Sequence, residues 1–157
     1  MIKTILAALL ALASITGYAQ GRPDYGPSIN LEMAKKALLA AQVESRKHNW
    51  NMAIAVVDIS GNLVAYEKMD QTQTASVQVA IDKAVSAAIY RRPTKVFEDI
   101  MAKGGAGLRV MNLRNASVVE GGVPIFVGGK IIGAIGVSGA NADEDGMAAK
   151  AGADALK

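Results

Sequence analysis

Apolar residues recur along this chain at two different periods, and the changes between them divide it into elements. After Asn30, the residues Leu31, Ala34, Leu38 and Ala41 fall on one helical face. Asn30 is placed to cap that helix and Glu32 lies in its first turn, so the pattern predicts a helix running to about Lys47. Met52 to Val57 is apolar throughout and β-branched at its end, as in a strand buried on both faces. Asp58 to Asn62 forms a turn and Leu63 to Lys68 a returning strand. After a polar stretch, Gln71 to Thr74, an alanine-rich helix is predicted from Ser76 to Tyr90, with Ala80, Ala84, Ala87 and Ala88 small enough for close approach to a sheet. Pro93 ends it, and Thr94 is expected to cap a short third helix reaching about Lys103.

The C-terminal third changes character. Gly104 to Gly107 is expected to be a mobile loop, and Val118-Val119 a short strand. Two apolar runs then flank Gly128-Gly129, a pair suited to a tight hairpin because both turn positions accept positive φ. The second run places glycine at Gly133, Gly136 and Gly139, where a helix, a ligand or another backbone must come close. Asp143, Glu144 and Asp145 open a last helix, where its dipole favours negative charge. The order α-β-β-α-α-β-β-β-α predicts an α+β domain with one mostly antiparallel, five-stranded sheet flanked by helices.

The first residues set the compartment. Met1-Ile2-Lys3 carries a positive charge, Thr4 to Ile15 is almost all apolar and uncharged, and Gly17-Tyr18-Ala19 supplies the small residues of a signal-peptidase site. Residues 1–19 are therefore expected to be a signal peptide cleaved before Gln20, residues 20–27 a flexible linker, and residues 28–157 the domain. The apolar run is shorter than the roughly 20 residues of a membrane span, and no cysteine follows to take a lipid. The expectation is a periplasmic or secreted protein without a stable membrane anchor.

Composition then excludes several classes. The chain has 157 residues and no cysteine, so disulfides and thiol catalysis are absent. A net charge of +3 and 4% aromatic residues argue against a nucleic-acid surface. One histidine and scattered serines show no nucleophile–base pair.

Several segments together resemble one known family. Ile54-Ala55-Val56-Val57-Asp58 with Gly61-Asn62-Leu63-Val64-Ala65-Tyr66 is similar to the first signature of the GlcG/HbpS-like family. Lys68-Met69-Asp70 resembles its Arg-Met-Asp element with lysine substituted, and Asp82 to Ala88 its Lys-Ala-x-Thr-Ala helix. Pro93-Thr94 resembles its Pro-Thr turn; Gly121-Gly122-Val123-Pro124, Gly133 to Gly139 and Glu144-Asp145 resemble its closing signature. The resemblance implies a profilin-like three-layer domain assembled into homo-oligomers. It also implies the handling of a tetrapyrrole or another small molecule, with haem as the suspected cofactor. Relatives include secreted haem-binding proteins, a protein encoded with glycolate oxidation and the PduO C-terminal domain.

On that resemblance, Met69, Asp70, Lys83, Gly121, Gly122, Val123 and Pro124 are the candidate binding residues. Lys83 is expected to meet Asp58, Asp70 or a ligand, or else to lie on the surface. The amides of the Gly121-Gly122 turn are candidates for a carboxylate or propionate. Haem iron takes His, Met, Tyr or thiolate ligands. His48 is the histidine candidate, with a solvated helix-end residue as its alternative; Met69, Tyr66 and Tyr90 are the others. Three functions follow: an exported haem-binding protein; a binder or processor of a small organic acid or aldehyde; or a structural oligomer packing its glycine-lined hairpin, at Gly136, against another subunit.

Overall fold

The structure, a computed structural model, describes residues 21–157; the expected signal peptide and Gln20 lie outside the described residues. The elements are α1 (Leu31–Lys47), β1 (Ala53–Asp58), β2 (Leu63–Lys68), α2 (Ser76–Tyr90), α3 (Lys95–Ala102), a 3₁₀ helix (Gly105–Asn112), β3 (Gly122–Val127), β4 (Lys130–Ser138) and α4 (Ala142–Asp154). The strands form one antiparallel sheet in the order β2-β1-β4-β3. Four strands replace the five expected among the described residues, because Val118 and Val119 pair with no strand.

Alternation along β1 explains why it is apolar throughout. Ile54 and Val56 point into a core with α1 and α4, whereas Ala53, Ala55 and Val57 point into a second core beneath α2. A strand covered on both faces has no solvent side, so period-two alternation of polarity disappears. The two cores differ in grain. The α1/α4 side is filled by Leu38, Ile54, Ile125, Ile135 and Val137. The α2 side is built mainly from alanines, and Gly136 completes it: a Cβ there would stand 2.1 Å from the Ala80 carbonyl oxygen. Alanine on the helix and glycine on the strand bring α2 down onto β4. Gly136 is thus covered by its own chain, which removes it from the subunit contact considered for it.

Local capping follows the sequence at α1, where Asn30 Oδ1 accepts from the Met33 amide at 2.9 Å. It departs elsewhere. Thr94 makes no cap for α3; its hydroxyl instead accepts from the Gly122 amide at 2.9 Å, and the Thr94 amide donates to the Gly122 carbonyl at 3.0 Å. The Gly104–Gly107 segment is ordered into the 3₁₀ helix: the Gly107 amide donates to the Gly104 carbonyl, and Gly107 lies so near the Ile100 carbonyl that a Cβ would stand 2.1 Å from its oxygen. The end of the expected flexible linker is also fastened. The Gly26 amide donates to Ile131, Ile131 donates back to Asp24, and the Tyr25 hydroxyl donates to the Ala88 carbonyl at 2.8 Å. No helix among the described residues is long and apolar enough to cross a membrane.

Candidate functional site

The candidate binding residues distribute over three places. Lys83, Gly121 and Gly122 form the first, at the centre of the molecule. Lys83 projects from the middle of α2 and is only 1% exposed. Its path requires glycine at the start of β3, since a Cβ on Gly121 would stand 2.8 Å from Lys83 Nζ and one on Gly122 2.2 Å from the Lys83 carbonyl oxygen. The ammonium donates to Asp145 Oδ2 at 2.7 Å, and Asp145 Oδ1 accepts from the Ala140 amide at 3.1 Å. Burial pushes the Asp145 carboxyl up from its ordinary value, while Lys83 and the amides of Ala140 and Gly139 pull it down.

This pair corrects two expectations. The partner of Lys83 is neither Asp58 nor Asp70: Asp58 closes the β1–β2 turn by accepting from the Ser60 and Asn62 amides, and Asp70 is exposed. The acidic run at the start of α4 is divided in use. Glu144 accepts from the Asn141 amide in a capping box, but Asp145 turns inward to Lys83. A buried pair of this kind ties α2 to α4 through the start of β3, and removing one partner strands the other charge in the interior. The Gly122 amide and the Gly121 carbonyl are likewise occupied. Gly122 donates to Thr94, and the Gly121 carbonyl accepts from Val137 at 2.9 Å, so the Gly122 amide is not free to meet a propionate.

Val123 and Pro124 belong to the second place, a cleft of about 350 Å³ beside the edge strand β3. Its floor is Val123, Pro124, Phe126 and Ala153, and Lys95, Lys150 and Lys157 stand around it with Glu120 and Asp154. The lysines are paired with acids on the surface, Lys150 and Lys157 with Asp154 and Lys95 with Asp99 and Glu98. Such exposed pairs hold weakly and can exchange partners. Burial pushes the Glu120 carboxyl up; Lys95 opposes the shift, and Glu98, Asp143 and Asp99 add to it.

Met69 and Asp70 form the third, a cleft of about 310 Å³ at the end of β2, shared with Gln42, Arg46, Asn51 and Lys68. Its lining is polar. His48 does not line any of these clefts. Its ring stacks on Trp50 with centroids 4.3 Å apart, its Nε2 lies 3.2 Å from Glu44 Oε1, and its side chain is 40% exposed. That is the solvated helix-end alternative.

The donor sets decide how haem would fit. The β3–α4 cleft offers an apolar floor for a macrocycle and cations for propionates, but none of its side chains is a His, Met, Tyr or Cys. Met69 has a sulfur but stands in a polar cleft. Tyr66 carries the one buried side-chain polar atom without a partner among the described residues, yet it packs into the alanine core under α2. No cluster of three or more potential metal ligands occurs among the described residues. The β3–α4 cleft therefore offers apolar surface and cations of the kind haem would use, and supplies no iron ligand from its own lining.

Comparison with known proteins gives a consistent picture. The family model for "Haem degrading protein HbpS-like" matches residues 29–154. The chain is 38% identical over 110 residues to Protein GlcG of Escherichia coli K12, covering 70% of this chain and 81% of that one. A crystal structure of a Streptomyces reticuli HbpS double mutant superposes with a TM-score of 0.77 at 28% identity, over 98% of this chain and 99% of the other. The structure of a PduOC:haem complex shares the fold, with a TM-score of 0.74 at 21% identity over 83% and 96% of the two chains. The chain belongs to the HbpS-like family.

Proposed function

We propose that this member of the HbpS-like family is an exported haem-binding protein that holds the macrocycle in the cleft between β3 and α4. The observation that carries the reading is the pairing of an apolar floor, Val123, Pro124, Phe126 and Ala153, with Lys95, Lys150 and Lys157 at its rim. A volume of about 350 Å³ falls within the range of small-molecule sites, and lysines whose present partners are surface carboxylates can turn to propionates. The description of the family and the haem complex of a protein with the same fold support the choice of ligand. Export rests on the apolar segment Thr4 to Ile15 followed by Gly17-Tyr18-Ala19. A second copy of the chain is proposed to cover the exposed apolar side chains Leu108, Met111 and Leu113.

Haem titration followed at the Soret band tests this. The band is expected to saturate at one haem per chain. Phe126→Glu, which puts a charge into the apolar floor, should weaken binding by more than about tenfold. His48→Ala should leave it unchanged. A titration that never saturates, or one insensitive to Phe126→Glu, would sink the reading. The polar cleft of Met69 and Asp70 favours a second reading, because Arg46 and Lys68 there are suited to a small organic acid. Thermal stabilisation by glycolate without haem uptake would support that alternative instead.

A further inference from the structure

We propose that Arg22, Arg91 and Arg92 form a binding site for a small oxyanion carrying two or more phosphate or carboxylate groups. The three guanidinium-bearing residues line a cavity of about 700 Å³ together with Val96 and the hairpin residue Gly129. It lies apart from the β3–α4 cleft, with which it shares no lining residue.

Two of the arginines are held in place by contacts that leave donors over. Arg91 Nη1 donates to the Pro23 carbonyl at 3.2 Å, and its guanidinium lies 5.3 Å from the centre of the Tyr25 ring. Arg92 Nε donates to the Tyr90 carbonyl at 3.3 Å, and its guanidinium lies 5.5 Å from the centre of the Phe97 ring. A guanidinium has five N–H donors, so one bond and one aromatic face orient it without exhausting it. Arg91 ends α2 as a left-handed C-cap, φ 54° and ψ 42°, its amide donating to the Ala88 carbonyl and that of Arg92 to Ala87, which fixes where the two side chains leave the helix.

Among the described residues, no acid forms an ion pair with these charges: none of the seven pairs there involves an arginine. Residues 1–20 contain neither Asp nor Glu. Burial, and then the charge of Arg22, lower the pKa of Arg92: the two cations repel each other across the cavity. A bound anion removes that repulsion and engages forked donors that match phosphate and carboxylate oxygens. The competing account is that Arg91 and Arg92 complement the C-terminal dipole of α2 and bind nothing. That account gives Arg22, which lies outside the helix, no role.

Isothermal titration at fixed ionic strength separates the two. The wild-type protein, Arg22→Gln and Arg92→Lys are each titrated with inorganic pyrophosphate and, separately, with citrate. Saturable binding of one anion per chain is expected, weakened about tenfold or more by Arg22→Gln and also by Arg92→Lys, which keeps the charge and loses the fork. Binding of pyrophosphate alone identifies a phosphate ligand; binding of citrate alone identifies a carboxylate. Arg22 is exposed and precedes the first helix, so its variant keeps the fold, and a melting curve verifies this. No saturable heat from either anion, or affinities unchanged in both variants, would overturn the proposal.

Discussion

Glycine pairs stand at both ends of β3, Gly121-Gly122 where it begins and Gly128-Gly129 where it turns into β4, and the two ends need glycine for different reasons. At the hairpin the need is conformational. Gly128 and Gly129 have φ of 57° and 77°, and a Cβ on either would find no atom within 4 Å. At the start of the strand the need is chiefly steric: both glycines are buried, the space that Cβ atoms would fill holds the Lys83 side chain and backbone, and Gly121 alone of the two also takes a positive φ, 128°. One end could carry a side chain that tolerates positive φ; the other is built around a buried cation and its counter-ion. The same dipeptide is a turn in one place and part of an internal charge site in the other.

The strongest way to break this comparison is to remove the charge that the inner end encloses. Lys83→Met leaves Asp145 buried without its cation and is expected to cost about 3–5 kcal/mol in urea unfolding. The double variant Lys83→Met with Asp145→Leu should recover most of that loss. If the single and double variants are equally unstable, the pair is not what the inner glycines serve. Next in size is the steric contrast itself. Gly122→Ala places a Cβ 2.2 Å from a backbone oxygen and should cost about 1–3 kcal/mol, whereas Gly129→Asn should stay within about 0.5 kcal/mol. Equal costs at the two positions would erase the distinction.

The smallest effect is a titration. Glu120 directly precedes the inner glycines, and burial raises its carboxyl above the ordinary value of 4.5. Below 4.5 the group is protonated in folded and unfolded chains alike. As pH rises through the raised value, the folded chain must ionise a partly buried carboxyl and stability falls; above it the curve levels. Glu120→Gln should remove that decline. Parallel pH–stability curves for the wild type and Glu120→Gln would contradict it.

Much of the fold was legible in the chain. The spans of α1, β1, β2 and α2 follow from period and capping, because a helix face and a two-sided strand each leave a local pattern. Gly136 signalled a close approach, although not that α2 of the same chain makes it. The candidate site was less legible. Lys83 carries a signal in being charged among alanines, whereas Asp145 shares with its acidic neighbours a fit to the helix dipole that hides its inward role. Its signal was periodic: Ala148, Ala149 and Gly152 follow it at i+3, i+4 and i+7, which places Asp145 on the buried stripe of α4. Thr94 looked like a cap because its position in the chain fits one, and only the neighbouring strand shows that its hydroxyl is taken by Gly122.

The sequence by itself determined the α+β class, most element boundaries, the outer hairpin turn and the family resemblance, since each rests on residues near one another in the chain. Tertiary structure alone decided the strand order β2-β1-β4-β3, the partner of Lys83, the separation of Met69 from Val123 into different clefts, and the meeting of Arg22 with Arg91 and Arg92. Those depend on contacts between residues tens of positions apart. Local propensity fixes the conformation of a segment, and packing then settles which charges and cavities the segments share.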